Sequence, residues 1–377
     1  KVADKTTSQR GNLPTKLLRT MDKQVAYAIA GATAAAVAYR VLTPAPKTAS
    51  KPAAKRVIKI DRMKLPKRKE VWLLFGKNGW IGGMMTQMLK EQGKEFYLAD
   101  SRTENRESVR AELEKYKPTH VLNAAGVTGV PNVDWCEFNQ EQALRANVLG
   151  TMNVSDLCSE MGIHCTLYAT GCIFEYDAEH PIGGKGFTEE DKANFDGSFY
   201  SKTKGFLEEM LKSYKTTLVL RLRMPISDDL APRNFVTKIA CYDKVVDVPN
   251  SMTLLADMLP ASLKMAENGL IGIYNFCNPG AISHNQVLNQ YKEIVDPSFT
   301  YTNFTIEEQN KILAAKRSNN ELDAAKLIQG LKEIGTSVPD IHTGFRSCFH
   351  RMKANLVKAH GPDYSAYLPV KLSKRKK

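Results

Sequence analysis

The chain has 377 residues, enough for one large α/β domain or two smaller ones, and its hydrophobic content of 43% supports a buried core. The formal net charge of +13 would suit a nucleic-acid-binding protein, but it is confined to the two ends. Residues 1–70 carry a net of +13 and residues 371–377 a net of +5, which leaves residues 71–370 with −5. A basic groove across the folded body is therefore excluded, and nucleic acid is not an expected partner.

The cysteines exclude two further classes of protein. There are seven of them, an odd number, and no two form a Cys-x-x-Cys pair. Neither a zinc site nor a disulfide framework is indicated, so no metal is expected and the folded body belongs in a reducing compartment.

Residues 24–42 form the first predicted element, a run without charge before Arg40. Its length approaches that of a bilayer span and favours a single anchoring helix. The alternatives are a targeting segment and a solvent-exposed or partner-bound helix. The segment before it, 1–23, is basic, and the segment after it, 43–70, is rich in Pro, Ala and Lys, which predicts an extended basic linker. The second flank is the more basic one, which predicts a membrane-anchored protein whose body faces the cytosol, or alternatively the matrix side of the mitochondrial inner membrane.

Beyond the linker, apolar segments of strand length alternate with amphipathic segments of helix length, which predicts an α/β fold with a doubly wound parallel sheet. The Rossmann-type domain is expected over residues 71–222. A smaller substrate domain over 223–335 is expected to interleave with it, followed by a C-terminal extension with a basic tail over 336–377. The predicted strands are 71–76, 95–100, 119–124, 164–169 and 216–222, and the predicted helices are 80–92, 104–116, 136–161 and 199–214.

A glycine-rich turn follows the first predicted strand. Three glycines have the spacing of a dinucleotide-binding fingerprint, and an amphipathic helix follows them. In such a turn the first glycine permits the tight bend, the second lets the backbone approach a pyrophosphate, and the third lets the helix pack on the strand. The predicted cofactor-binding residues of this turn are Gly76, Asn78, Gly79, Trp80, Ile81 and Gly82.

The ends of the next two strands would hold the rest of a nicotinamide cofactor. Asp100, at the end of the second strand, would accept hydrogen bonds from the ribose hydroxyls of NAD(H). Arg102 would instead pair with the 2′-phosphate of NADP(H), so the residues leave the choice open. The third strand ends in small residues against which the cofactor would lie, namely Asn123, Ala124, Ala125 and Gly126.

Tyr200 and Lys204 are predicted to lie one turn apart on the same face of a helix and to contact both cofactor and substrate. Because a cation beside a phenol favours the ionised form, the Tyr200 hydroxyl is expected to exchange protons near neutral pH. Thr170, at the carboxyl end of the fourth strand, is expected to hydrogen-bond a substrate carbonyl together with Tyr200.

Longer motifs then identify a family. From residue 71 to about 330 the chain closely resembles the plant nucleotide-rhamnose synthase/epimerase-reductases and, more distantly, the bacterial dTDP-4-dehydrorhamnose reductases. The resemblance implies a Rossmann-type fold of the extended short-chain dehydrogenase/reductase class. The motifs that carry it are 76–83, 123–129, 131–137, 169–177, 197–204, 221–227, 233–235, 249–253 and 317–323.

The resemblance implies a two-step reaction on UDP-4-keto-6-deoxy-glucose. The sugar is epimerised at C3 and C5 and then reduced at C4 with NAD(P)H to give UDP-L-rhamnose. The family's reductase residues correspond to Thr170, Tyr200 and Lys204, and its epimerase residues to Cys172 and Lys238. This assignment is chemically consistent, because inverting a carbon next to a ketone needs one group to remove the proton and another to return one from the opposite face.

The resemblance also bears on binding. Arg102 corresponds to an arginine of the family, which favours NADP(H) over NAD(H). The chain departs from the family at Asp100, where a small residue is expected of an NADPH user, and at Val130, where the family has arginine. The nucleotide-sugar is expected to contact Thr128, Asn132, Arg233, Asn234, Arg317 and Asn319.

A second class of function competes with the enzyme. Reductase-like domains also serve as structural, cofactor-holding subunits of membrane assemblies such as respiratory complexes, and an anchor with basic flanks suits that role. The presence of all five family catalytic residues favours the enzyme. The expected partners are the nucleotide-sugar, a membrane through residues 24–42, and either a second copy of the chain or other subunits of a membrane complex.

Overall fold

The computed structural model describes residues 57–130, 132–371 and 374. All described helices and strands belong to one compact unit that begins at Ile58. The predicted basic segment 1–23, the predicted anchor 24–42 and most of the linker lie outside the described residues. Within the described ranges no helix is both long and apolar enough to cross a bilayer. For the described residues this finding contradicts the predicted placement at a membrane, facing the cytosol or the mitochondrial matrix.

A six-stranded parallel sheet in the order β2-β1-β3-β4-β5-β8 forms the centre of this unit. Two short pairs, β6 with β10 and β7 with β9, lie outside it. The strands are β1 (Trp72–Phe75), β2 (Phe96–Leu98), β3 (His120–Asn123), β4 (His164–Thr170), β5 (Thr217–Leu222), β6 (Lys244–Val245), β7 (Pro249–Asn250), β8 (Gly272–Tyr274), β9 (Ile282–Ser283) and β10 (Thr302–Asn303).

Helices cover both faces of the sheet, as the prediction of a doubly wound parallel sheet requires. A π-helical segment, Arg145–Leu149, joins α4 to α5. The helices are α1 (Trp80–Glu91), α2 (Arg106–Tyr116), α3 (Trp135–Phe138), α4 (Gln140–Leu144), α5 (Gly150–Glu160), α6 (Phe199–Leu211), α7 (Phe235–Ala240), α8 (Leu255–Glu267), α9 (His284–Ile294), α10 (Ile306–Asn310), α11 (Ala325–Glu333) and α12 (Ile341–His360).

The first strand shows why the sequence folds this way. Trp72 and Leu74 point into the hydrophobic cluster on one face of the sheet, and Leu73 and Phe75 into the cluster on the other. All four are fully buried, as expected of a strand covered by helices on both sides. The predicted parallel sheet and its five predicted strands are confirmed.

The predicted helix over 136–161 is interrupted. Asn139 leaves helical geometry, and its side-chain amide donates to the carbonyl oxygen of Trp135 at 2.8 Å, which ends α3. The π-helical segment that follows α4 contains Asn147, and π-helical turns of this kind often occur at functional sites.

A further hydrophobic cluster lies apart from the sheet and is formed by α7, α9 and α12. The rings of Tyr291 on α9 and Phe349 on α12 meet edge to face, with centroids 5.9 Å apart. Ile341, Phe345 and Met352, also on α12, are fully buried in the same cluster. The residues after 335, predicted as an extension, therefore contribute a large part of this core.

Two histidines are buried side by side in the sheet. His120 on β3 stacks on Trp72 with ring centroids 4.3 Å apart. His164 on β4 donates from Nε2 to the carbonyl oxygen of Leu270 at 2.8 Å. Burial lowers the pKa of His120 to about 4 and the pKa of His164 to about 3.

We expect the free energy of unfolding to fall as the pH drops from about 6.5 towards 4. In this range the unfolded chain protonates both histidines, whose ordinary pKa is about 6.5, while the folded protein keeps them neutral. The loss should reach about 2 kcal/mol per histidine by pH 5. Urea unfolding at pH 7.5 and pH 5 measures it. His164→Gln, which keeps a donor for Leu270, should lose less stability over this interval, and an unchanged pH dependence would contradict the prediction.

Candidate active site

The glycine-rich turn packs directly against the end of β3. Gly76 has a φ of +85°, and a Cβ there would lie 2.5 Å from the amide nitrogen of Ala125. A Cβ on Gly82 would lie 2.1 Å from the carbonyl oxygen of Gly76. Both positions therefore require glycine, and the turn and the β3 end form one close-packed floor.

This floor fits the pyrophosphate of a dinucleotide. No side chain caps the start of α1 after Gly79, so the first-turn amides of the helix are available to an anion. The indole Nε1 of Trp80 is buried without a hydrogen-bond partner. At the β3 end, Asn123 Oδ1 accepts from the amide of Ala125 at 3.0 Å and fixes the small residues that face the turn.

Asp100 and Arg102, which favour different cofactors, each form an ion pair with another side chain. Asp100 binds the ammonium of Lys77 from the glycine-rich turn, and this hydrogen bond lowers the pKa of Asp100. Arg102 Nη2 donates to Glu104 Oε1 at 2.7 Å. Asp100 thus neutralises a turn lysine that could otherwise attract a 2′-phosphate.

We expect Asp100→Ser to tighten NADPH binding about three- to fivefold and to change NADH binding less than about twofold, the range of exposed ion pairs. The substitution frees Lys77 and removes a charge that repels the 2′-phosphate. Fluorescence titration with each cofactor measures the effect. Glu107→Gln, at an exposed position of α2, is the matched control for net charge. Equal gains in the two variants would contradict a local role for Asp100.

Thr170 and Tyr200 meet at the carboxyl end of the sheet. Burial raises the pKa of the Tyr200 phenol, the nearby Cys172 thiol adds to the effect, and a hydrogen bond with the Thr170 side chain opposes it. Burial also lowers the pKa of Lys204 to about 8, which the Cys136 thiol partly offsets. The expectation of an easily ionised Tyr200 is corrected, because burial of the phenol raises its pKa. A neutral phenol is the form that can donate a proton.

The start of α6 is held by two caps that position these residues. The side-chain oxygen of Ser198 accepts from the amide of Ser201 at 3.0 Å. Glu137 Oε1, from α3, accepts from the amide of Phe199 at 2.7 Å. A carboxylate at a helix N-terminus also interacts favourably with the helix dipole. The register of Tyr200 and Lys204 therefore depends on a residue more than sixty positions earlier in the chain.

Cys172 lies two residues beyond Thr170, in the turn after β4, and joins the same site. Its amide donates to Thr170 Oγ1 at 3.0 Å. Its Sγ accepts from Nη1 of Arg223 at 2.9 Å. The structure thus brings the thiol and the phenol together with a guanidinium behind the thiol.

Lys238 belongs to a cluster of cations formed with Arg233 and Arg317. Burial lowers the pKa of Lys238, and the charges of Arg233 and Arg317 lower it further. Arg233 Nη1 donates to Thr128 Oγ1 at 3.1 Å and to the carbonyl oxygen of Gly129 at 2.9 Å. Three cations within mutual influence form a suitable site for the diphosphate of a nucleotide-sugar.

The other predicted substrate residues have structural partners. Arg317 Nη1 donates to Asp134 Oδ1 at 2.7 Å, and Asn132 Oδ1 accepts from the amide of Asp134 at 2.8 Å. Asn234 is fully buried and caps α7, with Oδ1 accepting from the amide of Val236. Asn319 Oδ1 accepts from the amide group of Asn250 at 2.9 Å.

Three residues at the site were not predicted. Asn147, in the π-helical segment, bonds both the amide and the carbonyl oxygen of Val127 at 2.8 Å and fixes the loop after β3. The other two are Glu137 and Arg223. Each is a polar residue in an otherwise apolar or helical segment. Such a residue indicates a buried polar group, but the sequence does not identify its hydrogen-bond partner.

A Rossmann sheet with Thr170 at the carboxyl end of β4, and Tyr200 and Lys204 on α6, is typical of a nicotinamide-dependent reductase of the short-chain type. The profile of the RmlD substrate binding domain family matches residues 70–327, and the chain belongs to this family. The match begins after the predicted anchor, so the family offers no support for a membrane span.

Curated relatives and a solved structure agree on the class. A bifunctional dTDP-4-dehydrorhamnose 3,5-epimerase/dTDP-4-dehydrorhamnose reductase of Arabidopsis thaliana is 57% identical over 258 residues, 68% of this chain and 86% of that protein. A trifunctional UDP-glucose 4,6-dehydratase/UDP-4-keto-6-deoxy-D-glucose 3,5-epimerase/UDP-4-keto-L-rhamnose-reductase of the same plant is 52% identical over 265 residues, 70% of this chain but only 40% of that protein.

The UDP-rhamnose synthase of Acanthamoeba polyphaga mimivirus has the same fold. Its crystal structure superposes with a TM-score of 0.71 at 38% identity and covers 75% of this chain and 100% of that one. The predicted resemblance to rhamnose-forming epimerase/reductases is confirmed. The chain is an enzyme of that kind, which sets aside the alternative of a purely structural subunit.

Proposed function

We propose that this enzyme converts UDP-4-keto-6-deoxy-glucose to UDP-L-rhamnose by 3,5-epimerisation followed by reduction at C4. The observation that carries the proposal is that Thr170, Cys172 and Tyr200 lie together. Arg223 donates both to Cys172 and to Ser318, the neighbour of Arg317, which belongs to the cations around Lys238. The similarity to the plant bifunctional epimerase/reductase and to the mimivirus UDP-rhamnose synthase supports it. No dehydratase step is proposed, since the chain spans only 40% of the trifunctional relative.

Cys172 and Lys238 suit the epimerisation. A proton next to the C4 ketone is acidic enough for a thiolate to remove, and an ammonium whose pKa is lowered gives up its proton readily. Burial, and then the charges of Arg233 and Arg317, lower the pKa of Lys238. Acting from two sides of the sugar ring, the pair would invert first one carbon and then the other.

Thr170, Tyr200 and Lys204 suit the reduction. When bound, NADPH would supply the hydride for C4. Tyr200, a neutral phenol, donates the proton that the C4 oxygen needs, and Thr170 orients that oxygen. Lys204, whose pKa is about 8, holds a positive charge near neutral pH and favours the phenolate that the transfer leaves.

NADP(H) is the proposed cofactor, with NAD(H) as the alternative. Residues that would hold it are the glycine-rich turn, Lys77 and Arg102 at the 2′-position, and the small residues at the end of β3. A fold neighbour from Bacillus anthracis, dTDP-4-dehydrorhamnose reductase, was solved in complex with NADP. Asp100 makes the preference for NADPH weaker than Arg102 alone would give.

Incubating the full chain with UDP-4-keto-6-deoxy-glucose and NADPH tests the proposal. NMR of the sugar should show UDP-L-rhamnose, with deuterium from D₂O at C3 and C5 and hydride from the cofactor at C4. The same assay with dTDP-4-keto-6-deoxy-glucose tests the choice of nucleotide. Oxidation of NADPH without deuterium at C3 and C5 would mean a reductase without epimerase activity.

A further inference from the structure

Arg223 is a fully buried cation at the end of β5, with an exposed fraction of 1%. Its backbone amide donates to Thr253 Oγ1 at 3.0 Å, which fixes the start of the side chain. The guanidinium reaches under the turn that follows β4 and ends at the sulfur of Cys172, where the N–S distance is 2.9 Å.

The other acceptors around this guanidinium are neutral. Nη1 also donates to Ser318 Oγ at 3.2 Å, and Nη2 donates to the Ser318 carbonyl oxygen at 3.1 Å and to Asn250 Oδ1. Within the described ranges no carboxylate forms an ion pair with Arg223. A guanidinium stays protonated in proteins, and burying its charge without a counter-charge is costly.

The backbone around Cys172 is built to admit this side chain. A Cβ on Gly171 would lie 3.0 Å from Cδ of Arg223 and 2.6 Å from Cδ1 of Leu322. The missing side chain at position 171 therefore makes room for the arginine directly below the sulfur. The Gly171 carbonyl oxygen is held from the other side by the amide group of Asn320 at 3.1 Å.

We propose that Arg223 is a positioning residue that holds Cys172 as a thiolate and aims its sulfur at the sugar. The inference rests on the proposed function. In the step it serves, the C–H bond next to the ketone breaks, the proton forms an S–H bond on Cys172, and the electron pair remains as the enolate. Lys238 then gives a proton to the opposite face of that carbon. Solvent takes the proton from the sulfur and restores the one on Lys238.

The rate of alkylation by iodoacetamide reports how much of Cys172 is thiolate, and the measurement needs no substrate. In the wild-type enzyme Cys172 should react at pH 6 about three- to tenfold faster than N-acetylcysteine, because a free thiol with a pKa near 8.5 is almost wholly protonated there. The expected factor is modest since a stabilised thiolate is also a weaker nucleophile. Peptide mass spectrometry assigns the modified cysteine, and the half-buried Cys241 serves as the internal reference.

Three variants test whether the charge of Arg223 raises the reactivity of Cys172. Arg223→Met should slow alkylation of Cys172 at pH 6 by about three- to tenfold and leave Cys241 unchanged, whereas Arg223→Lys should restore part of the rate. Ser318→Ala removes a neutral partner of the same guanidinium and should retain the wild-type rate. Equal alkylation of Cys172 in wild type and Arg223→Met would overturn the proposal. If Arg223→Met fails to fold, a wild-type Cys172 no more reactive than N-acetylcysteine at pH 6 would overturn it equally.

Deuterium exchange separates this inference from the proposed function. Arg223→Met should lower exchange at C3 and C5 about tenfold, the equivalent of losing one hydrogen bond to a charged group. NADPH affinity should stay within about twofold. Absence of exchange in the wild-type enzyme, with a reactive Cys172 thiolate, would reject the epimerase function while the Arg223–Cys172 pair stands.

Discussion

Tyr200→Phe should lower the rate of C4 reduction by about 10²–10⁴, the usual contribution of a positioned general acid. The substitution removes the proton donor and keeps the ring, so NADPH affinity should stay within about twofold. Stopped-flow measurement of NADPH oxidation with UDP-4-keto-L-rhamnose isolates this step from epimerisation.

Tyr214→Phe is the matched control for that experiment. Its hydroxyl donates to Asp156 Oδ1 at 3.1 Å, three residues beyond the C-terminal end of α6 and away from the site. The control should keep at least half of the wild-type rate. An unimpaired Tyr200→Phe enzyme would remove Tyr200 from the mechanism, and another acid would have to be sought near the C4 oxygen.

Lys238→Ala should slow the exchange of deuterium into C3 and C5 by about 10²–10³, because one of the two faces loses its acid. The reduction of preformed UDP-4-keto-L-rhamnose should fall far less, since Lys238 takes no part in that step. NMR of the sugar in D₂O follows the exchange without turnover if NADPH is left out.

The exposed Lys244, on β6, offers the matched control Lys244→Ala, which changes net charge equally. It should exchange at the wild-type rate. Should Lys238→Ala exchange as fast as this control, the return of the proton must be assigned to a different group, and the cations near Arg233 and Arg317 would be left with binding alone.

The parallel sheet was predictable because each of its central strands is a short apolar run buried on both faces, as β1 illustrates. The glycine-rich turn was predictable for a similar reason: at Gly76 and Gly82 the geometry tolerates no side chain. Local rules of this kind act within a few residues, and a single sequence displays them directly.

The parts that could not be predicted depend on contacts between distant segments. Arg223 meets a sulfur 51 positions earlier, and Glu137 caps a helix that begins 62 positions later. The ionisation of Tyr200 was mispredicted for the same reason. Spacing placed a lysine one turn away, but burial, which spacing does not reveal, decides the direction of the pKa shift.

The position of α12 shows that the folded unit extends beyond the residues that the family matches. The family match stops at residue 327, yet the face that Tyr291 and its neighbours on α9 present is covered by a helix that begins at Ile341. A gene trimmed to the residues that the family matches would encode a protein with this apolar face uncovered, prone to self-association. Any search for a minimal catalytic version should therefore shorten the chain from its N-terminal end.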